Sequence, residues 1–375
     1  MPVNILCVGG GPAGLHFALL HKKAHPDHRV IVIEQNPPNA TYGWGVVFSD
    51  KALSFLSGGD APFMADLLAR LESWDDLTVV HQDVVVPIDG YGFSSLARLD
   101  LLQLLHAHCE RAGVDLRFGT RLESVVPSDY DLVVAADGVN SVTREQFAEH
   151  FEPASTLLTN KYIWYGTTRV FDTLSLIFRE FQGNYFVAHT YRFSSEASTF
   201  IVECEAAVWE AAGFSEMGDA ECRAYCERIF AADLCGHRLL SNRSLWSHFR
   251  VVVNGHWRYR NVVLLGDALR SVHFSIGSGT RLALEDAIAL HQAVEATRSV
   301  PEALEAFERG RRPIVDKILR AAANSYEWYE RFGERMALAP LEFAMNYVTR
   351  SGRVNRDVLA QTSPKFLARY ESRSS

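Results

Sequence analysis

The feature that most constrains this chain lies in its first 34 residues. Gly9, Gly11 and Gly14 space a G-x-G-x-x-G turn between an apolar run, Ile5 to Val8, and a helical stretch from Ala13 to about Lys23. A second apolar run, Arg29 to Glu34, ends on an acid 20 residues beyond the last glycine. Strand, glycine turn, helix, strand and distal acid are the parts that a dinucleotide-binding unit requires. The glycines let backbone approach a pyrophosphate at the positive helix N-terminus, which Pro12 and Ala13 open. Glu34 is placed to accept hydrogen bonds from the adenosine ribose. A chain that starts in this way is expected to build a parallel α/β sheet.

The rest of the chain alternates in kind. A helix is expected at about 97–112, then strands at Asp115 to Phe118 and Asp131 to Ala136. Four strands follow, Tyr162 to Phe171, Leu174 to Arg179, Tyr185 to Tyr191 and Thr199 to Cys204, joined by short polar turns as in an antiparallel sheet. Asn261 to Leu265 is another buried strand, running into Gly266-Asp267. Beyond Gly279 the pattern is helical, from Leu282 to Ala296 and from Pro301 to about Met336. Tyr326, Trp328, Tyr329 and Phe332 fall at helical spacing and read as core. The return to α/β marks the antiparallel sheet as an insertion. We therefore expect a discontinuous nucleotide domain (1–80, 96–155, 255–300), a substrate domain (81–95, 156–254) and a helical region (301–375).

Composition excludes several partners. A formal net charge of −8 argues against nucleic acid or an anionic membrane. No apolar run approaches the roughly 20 residues of a membrane span. The N-terminus enters a strand without a basic or small-residue leader, which points to a cytoplasmic protein. Cys7, Cys109, Cys204, Cys222, Cys226 and Cys235 form no C-x-x-C pair and are expected to be isolated buried thiols. His106, His108 and Cys109 lie in a helical stretch that turns 106 and 108 to different faces, so no metal is expected.

The fingerprint alone does not choose between NAD and FAD. Asp137-Gly138-Val139-Asn140-Ser141-Val142-Thr143-Arg144 after one buried strand, and Gly266-Asp267-Ala268 after another, complete a set of three motifs. In order and spacing the chain resembles the single-component FAD-dependent aromatic hydroxylases, the class A flavoprotein monooxygenases. That resemblance implies a Rossmann-like, para-hydroxybenzoate hydroxylase-like fold with non-covalent FAD. NADH or NADPH would act as transient co-substrate, and O2 would hydroxylate an electron-rich ring through a flavin C4a-hydroperoxide. It also implies cofactor roles for Asp137, Gly138, Gly266 and Asp267, and for Arg98 on the FAD phosphates.

Finer features split. Gly43 to Asp50, His273 to Thr280 and Leu284-Glu285-Asp286-Ala287 are similar to the salicylyl-CoA 5-hydroxylase and anthraniloyl-CoA monooxygenase group. Asn160 to Gly166 and Gly266-Asp267-Ala268-Leu269 are similar to the tryptophan-hydroxylating flavoenzyme of violacein biosynthesis. An indole-type bicyclic substrate and an aryl-CoA thioester both remain open. A flavin halogenase would carry Trp-x-Trp-x-Ile, which none of the seven tryptophans makes. A non-catalytic FAD redox sensor is the more distant alternative, and either a monomer or a homodimer is compatible.

Within this frame the loop His273 to Thr280 is expected beside the flavin, where Gly277, Ser278, Gly279 and Thr280 let backbone amides meet negative charge. His273 could assist proton traffic. Tyr185, Val187, His189 and Tyr191 alternate onto one strand face, the expected substrate wall. Few basic residues lie near it to hold a CoA tail: Lys161, Arg169, Arg179 and Arg192, with Arg270 and Arg281 as additions from the flavin side.

Overall fold

The computed structural model describes residues 3–41, 43–50, 53–54 and 59–372. Its first sheet has six strands in the order Arg258–Tyr259, Val262–Leu264, Leu132–Ala135, Asn4–Val8, Arg29–Ile33, Asp115–Arg117. All pair in parallel except the short hairpin at the first edge. The central strands are buried at nearly every position because helices cover the sheet. This explains their unbroken apolar runs. Helix Pro12–Ala24 packs on Gly279–Ala296 and on Arg98–Ala112 within the core beside this sheet.

The second sheet has eight strands. Along its main path these are Leu239–Leu240, Pro153–Thr167, Ser198–Cys204, Asn184–Arg192, Leu174–Phe181, Leu77–His81 and Val84–Ile88, and Ser247–Asn254 pairs with Pro153–Thr167. It is not wholly antiparallel, since Leu174–Phe181 runs parallel to Leu77–His81. The early strands therefore join from 77, while Phe93–Ala97 pairs elsewhere, with Gly45–Ser49 and Glu72–Trp74 in a third sheet. Strand Ser198–Cys204 is buried at all seven positions. One face of this sheet carries Phe186, Phe200 and Val202 against Phe214, Tyr225 and Cys226. The other face carries Phe178 and Val187 against Trp328, Tyr329, Phe332 and Phe343 of the C-terminal region.

The long helix ends at Tyr329 rather than Met336, where a short 3-10 turn, Phe332–Arg335, takes over. The core reading of its aromatics holds for Trp328, Tyr329 and Phe332, whereas Tyr326 is only half-buried. Five cysteines are buried and free as expected, but Cys235 is exposed because it ends a helical turn in the left-handed conformation. Among the described residues no helix is long and apolar enough to cross a membrane.

Candidate active site

The three glycines of the fingerprint do different work. A Cβ on Gly9 (φ 104°) would be driven into the Ala136 carbonyl, and one on Gly14 into the Gly9 carbonyl. Both are glycine so that strand, turn and helix can close on each other. A Cβ on Gly11 would meet no protein atom within 4 Å. Its open side lies at the start of helix Pro12–Ala24, whose first N–H groups receive no side-chain cap. Unsatisfied donors and the positive end of the helix dipole make that position a cradle for a phosphate. At the lip, Glu34 Oε2 accepts from Gly10 N at 2.8 Å and Oε1 from Asn36 N at 2.8 Å. Those bonds hold the carboxylate in place with lone pairs left over for ribose hydroxyls.

The second and third motifs close the same crevice. Asp137 accepts from the Ser141 hydroxyl at 2.5 Å and from Thr143 N at 3.0 Å, so its carboxylate faces its own turn. Arg144 donates to Val139 O at 2.7 Å and to Ala268 O at 3.1 Å, tying the second motif to the third. Gly266 (φ 58°) backs onto the first helix, where a Cβ would lie 3.1 Å from Ala13 Cβ. Asp267 is exposed yet densely surrounded by protein, as a residue lining a deep crevice must be. Its walls push the carboxyl above the usual range, with Arg98 and Arg270 pulling it down. Among the described residues no carboxylate lies within ion-pair distance of the Arg98 guanidinium. An unpaired cation, an acid in a crevice and an uncapped helix end suit a group carrying both a pyrophosphate and hydroxyls. FAD is such a group. Gly9, Gly11, Pro12, Ala13, Gly14, Glu34, Arg98, Asp137, Gly138, Gly266 and Asp267 thus gather at the carboxyl edge of the parallel sheet, where open α/β sheets bind their ligands.

The loop from His273 leads from this crevice toward the second sheet. His273 Nδ1 accepts from Ser275 N at 3.3 Å. Burial pushes the imidazole down to about 4, with Glu203 opposing and His189 and Arg350 reinforcing the shift, so the ring is neutral at physiological pH. Gly277 (φ 57°) turns the chain where a Cβ would press within 3.1 Å of Val47. The Ser278 hydroxyl is turned back to Ile276 O at 3.1 Å. Gly279 and Thr280 open helix Gly279–Ala296, which lacks a side-chain cap. Of the amides expected there, that of Gly277 is taken by Phe274 O at 2.9 Å, so the loop offers at most those of Ser278, Gly279 and Thr280. The loop is held from behind by Arg350, which donates to Ser275 O at 2.8 Å and Ser325 Oγ at 3.0 Å.

Opposite the loop stands a polar cluster on the second sheet. His189 and Glu203 are diagonal neighbours on adjacent strands, Val187 pairing with Glu203 and His189 with Ile201. Their side chains share a face and meet at 2.9 Å. Asn160 Nδ2 donates to Glu203 at 2.9 Å and to Tyr329 O at 3.0 Å. Burial drives the Glu203 carboxyl up, but His189 above all, with the Asn160 hydrogen bond, outweighs it and holds the group below its usual range. A carboxylate can only accept, so His189 Nε2 carries the hydrogen, and in the neutral ring Nδ1 is the acceptor. Aromatic rings enclose the cluster: Phe274 lies 5.2 Å from His189 and 5.0 Å from Tyr162, and Tyr329 lies 4.9 Å from His189.

The expected strand face is thus divided. His189 looks toward the flavin-side loop, whereas Tyr185 and Val187 pack on the C-terminal helices. Tyr191 donates to Gly45 O at 2.9 Å and braces the strand Gly45–Ser49 beside Arg98, so it is no free wall residue. Glu203 and Asn160 were missed from the sequence. The available signal was an acid in the wholly apolar run Thr199 to Cys204. Arg270 and Arg281 are not at a pocket mouth either. Arg270 is buried against Asp286 at 2.6 Å and Arg281 pairs with Glu285 at 2.5 Å, in a network that Arg311 completes.

Residues 2–322 match a family model described as FAD binding domain. The chain is 39% identical to salicyloyl-CoA 5-hydroxylase of Streptomyces sp, over 98% of this chain and 73% of that protein. It is 37% identical to protodeoxyviolaceinate monooxygenase of Chromobacterium violaceum (93% and 94% covered). A 3-hydroxy-4-methyl-anthranilyl-[aryl-carrier protein] 5-monooxygenase of Streptosporangium sibiricum is 35% identical (96% and 98% covered). Among solved structures, 2-methyl-3-hydroxypyridine-5-carboxylic acid oxygenase matches with a TM-score of 0.74 at 19% identity over 96% of both chains. That likeness establishes the fold. Matched over most of its length, the chain belongs to the FAD binding domain family and is an FAD-dependent aromatic-ring monooxygenase.

Proposed function

We propose that the protein hydroxylates an electron-rich, indole-type bicyclic ring, held between the flavin-side loop and the His189–Glu203 face of the second sheet. The observation that carries this reading is the ring-enclosed His189, whose Nε2 meets Glu203 and whose Nδ1, in the neutral ring, is an acceptor. An acceptor there takes a hydrogen bond from a ring N–H or O–H and raises the ring's electron density toward an electrophilic oxygen. Glu203 keeps the imidazole in the required tautomer, and Asn160 keeps Glu203 in place. Bound FAD, reduced by NAD(P)H, supplies the activated oxygen: one atom of O2 enters the ring and the other leaves as water. Phe274, Tyr162 and Tyr329 exclude water that would divert that oxygen into hydrogen peroxide. His273, neutral and adjacent, is placed to pass protons between loop and cluster.

The cations argue for a compact substrate. Arg179 is paired with Asp233 and Asp83, Arg192 with Glu72, and Lys161 lies over the Trp209 ring at 4.5 Å. With Arg270 and Arg281 also committed, few groups are left to grip the phosphates of a CoA tail. A second reading, an aryl thioester, is favoured by the relatives that act on a CoA ester and on a carrier-protein ester. The test is NAD(P)H oxidation with product mass, comparing free bicyclic aromatics with salicylyl-CoA. Coupled hydroxylation of the free ring supports the proposal. Coupling seen only with the thioester overturns it in favour of the second reading.

A further inference from the structure

Far from the crevice, four histidines and a glutamate gather where the first helix ends. His21 and His25 are spaced i,i+4 at the end of helix Pro12–Ala24, and His291 and Glu295 are spaced i,i+4 on helix Gly279–Ala296. Such spacing puts both members of a pair on one helix face. The two helices pack together, so the pairs confront each other. His21, His291 and Glu295 each bring one ligand atom into a group whose members lie within 4.8 Å of one another.

The hydrogen bonds around the group are those of an outer shell. His21 Nε2 is 2.9 Å from His28 Nδ1, and the other nitrogen, Nδ1, is buried with no hydrogen-bond partner. The His21 side chain is 2% exposed, so solvent does not account for that orphan. His291 Nδ1 is likewise buried and unpartnered. His25 Nε2 lies 2.6 Å from Glu295 Oε1, orienting the carboxylate. A buried imidazole nitrogen without a partner costs free energy in the protein alone, and a bound cation removes that cost. With Nε2 of His21 engaged by His28, the neutral ring can present Nδ1 as the lone pair that a metal ligand must offer.

We propose that His21, His291 and Glu295 bind a divalent transition-metal ion of the zinc type. Two imidazoles and a carboxylate suit zinc, which takes nitrogen and oxygen ligands at about 2.0–2.2 Å in a tetrahedron. Ligand atoms about 3.3 Å apart meet that geometry, so small side-chain rotations close the group, with water as fourth ligand. The site is structural. His21 lies nine positions beyond Pro12 on the helix, about 14 Å of axis, so the ion does not touch the cofactor. It would pin together the far ends of the two helices whose N-termini face the crevice.

The experiment uses full-length, tag-free, FAD-loaded protein stripped with chelator. Zinc is titrated in competition with a chromophoric chelator, and thermal midpoints are read with and without it. One zinc per chain, a higher midpoint with zinc, and affinity at least about tenfold weaker in His291→Gln and Glu295→Gln are expected. Both positions are only partly buried or exposed, so these variants avoid the folding risk of His21→Gln. Their retained FAD serves as the check on folding. Absence of stoichiometric zinc, or affinity unchanged in both folded variants, overturns the site. Neither result bears on the hydroxylase reading, because the ring assay runs on zinc-free protein.

Discussion

The cofactor crevice and the face of the second sheet are built by opposite means. In the crevice, backbone does the work: glycines, helix ends and a few short-range bonds such as Asp137 to Ser141 and Thr143. On the sheet face, side chains do it, and they come from far apart. Asn160, His189, Glu203 and Tyr329 meet only because strand pairing and the last turn of the long helix bring them together. Backbone sites leave local spacing in a sequence. Side-chain sites assembled by register leave almost none.

The comparison predicts how each region breaks. Within the fingerprint, Gly14→Val forces a side chain into the Gly9 carbonyl, whereas Gly11→Val meets no protein atom. Gly14→Val should abolish both folding and FAD retention. Gly11→Val should leave the thermal midpoint of FAD-free protein within about 0.5 kcal/mol equivalent of wild type while losing FAD. Absorbance of the purified variants and melts of the FAD-free forms check this. A Gly11→Val protein that is yellow, or one that is unfolded, breaks the distinction.

On the sheet face the largest effect falls on stability. Glu203→Leu leaves the His189 and Asn160 donors buried without their acceptor, which costs about 1–3 kcal/mol for each unsatisfied group. Denaturant unfolding with FAD bound measures it. A cost under about 1 kcal/mol would mean that the cluster is wet and weakly coupled.

Legibility follows the same division. The first parallel strands and the glycine fingerprint were readable because each is a local pattern. Tyr191 was misread because alternation assigns a face but not what covers it; its hydroxyl braces Gly45, 146 residues away. Strand Ser198–Cys204 shows no alternation because both its faces are buried, which hid Glu203 among apolar neighbours. The sheet was expected to be purely antiparallel because the parallel partner of Leu174–Phe181 lies about a hundred residues earlier, at Leu77–His81.

Acid should expose both regions at once. Burial lowers His16, behind the crevice, and His273, in the loop, to about 4 each, against 6.5 in the unfolded chain. Above 6.5 both states are neutral at these positions and the protein keeps its full stability. As pH falls from 6.5 toward 4 the unfolded chain alone takes up protons, and stability is lost. The loss approaches about 3 kcal/mol per histidine near pH 4. Melts of zinc-free protein at pH 7.5 and 5 should show a clear fall in midpoint; equal midpoints would refute neutral buried imidazoles. The smallest effect is expected of Tyr191→Phe, which removes one hydroxyl from Gly45 O and should cost about 1 kcal/mol with FAD retained. A larger cost, or FAD loss, would place Tyr191 in the cofactor's own contacts.

The central claim is that a ring is hydroxylated against the sheet face, in a pocket kept dry by its aromatics. The direct measurement is the ratio of hydroxylated product to NAD(P)H consumed in Tyr162→Ala, set against wild type. Tyr162 packs on Phe274 and Phe249 beside the cluster. The account predicts retained FAD, continued NAD(P)H oxidation, a fall in that ratio and a matching rise in hydrogen peroxide. A ratio equal to wild type, with peroxide unchanged, would contradict it.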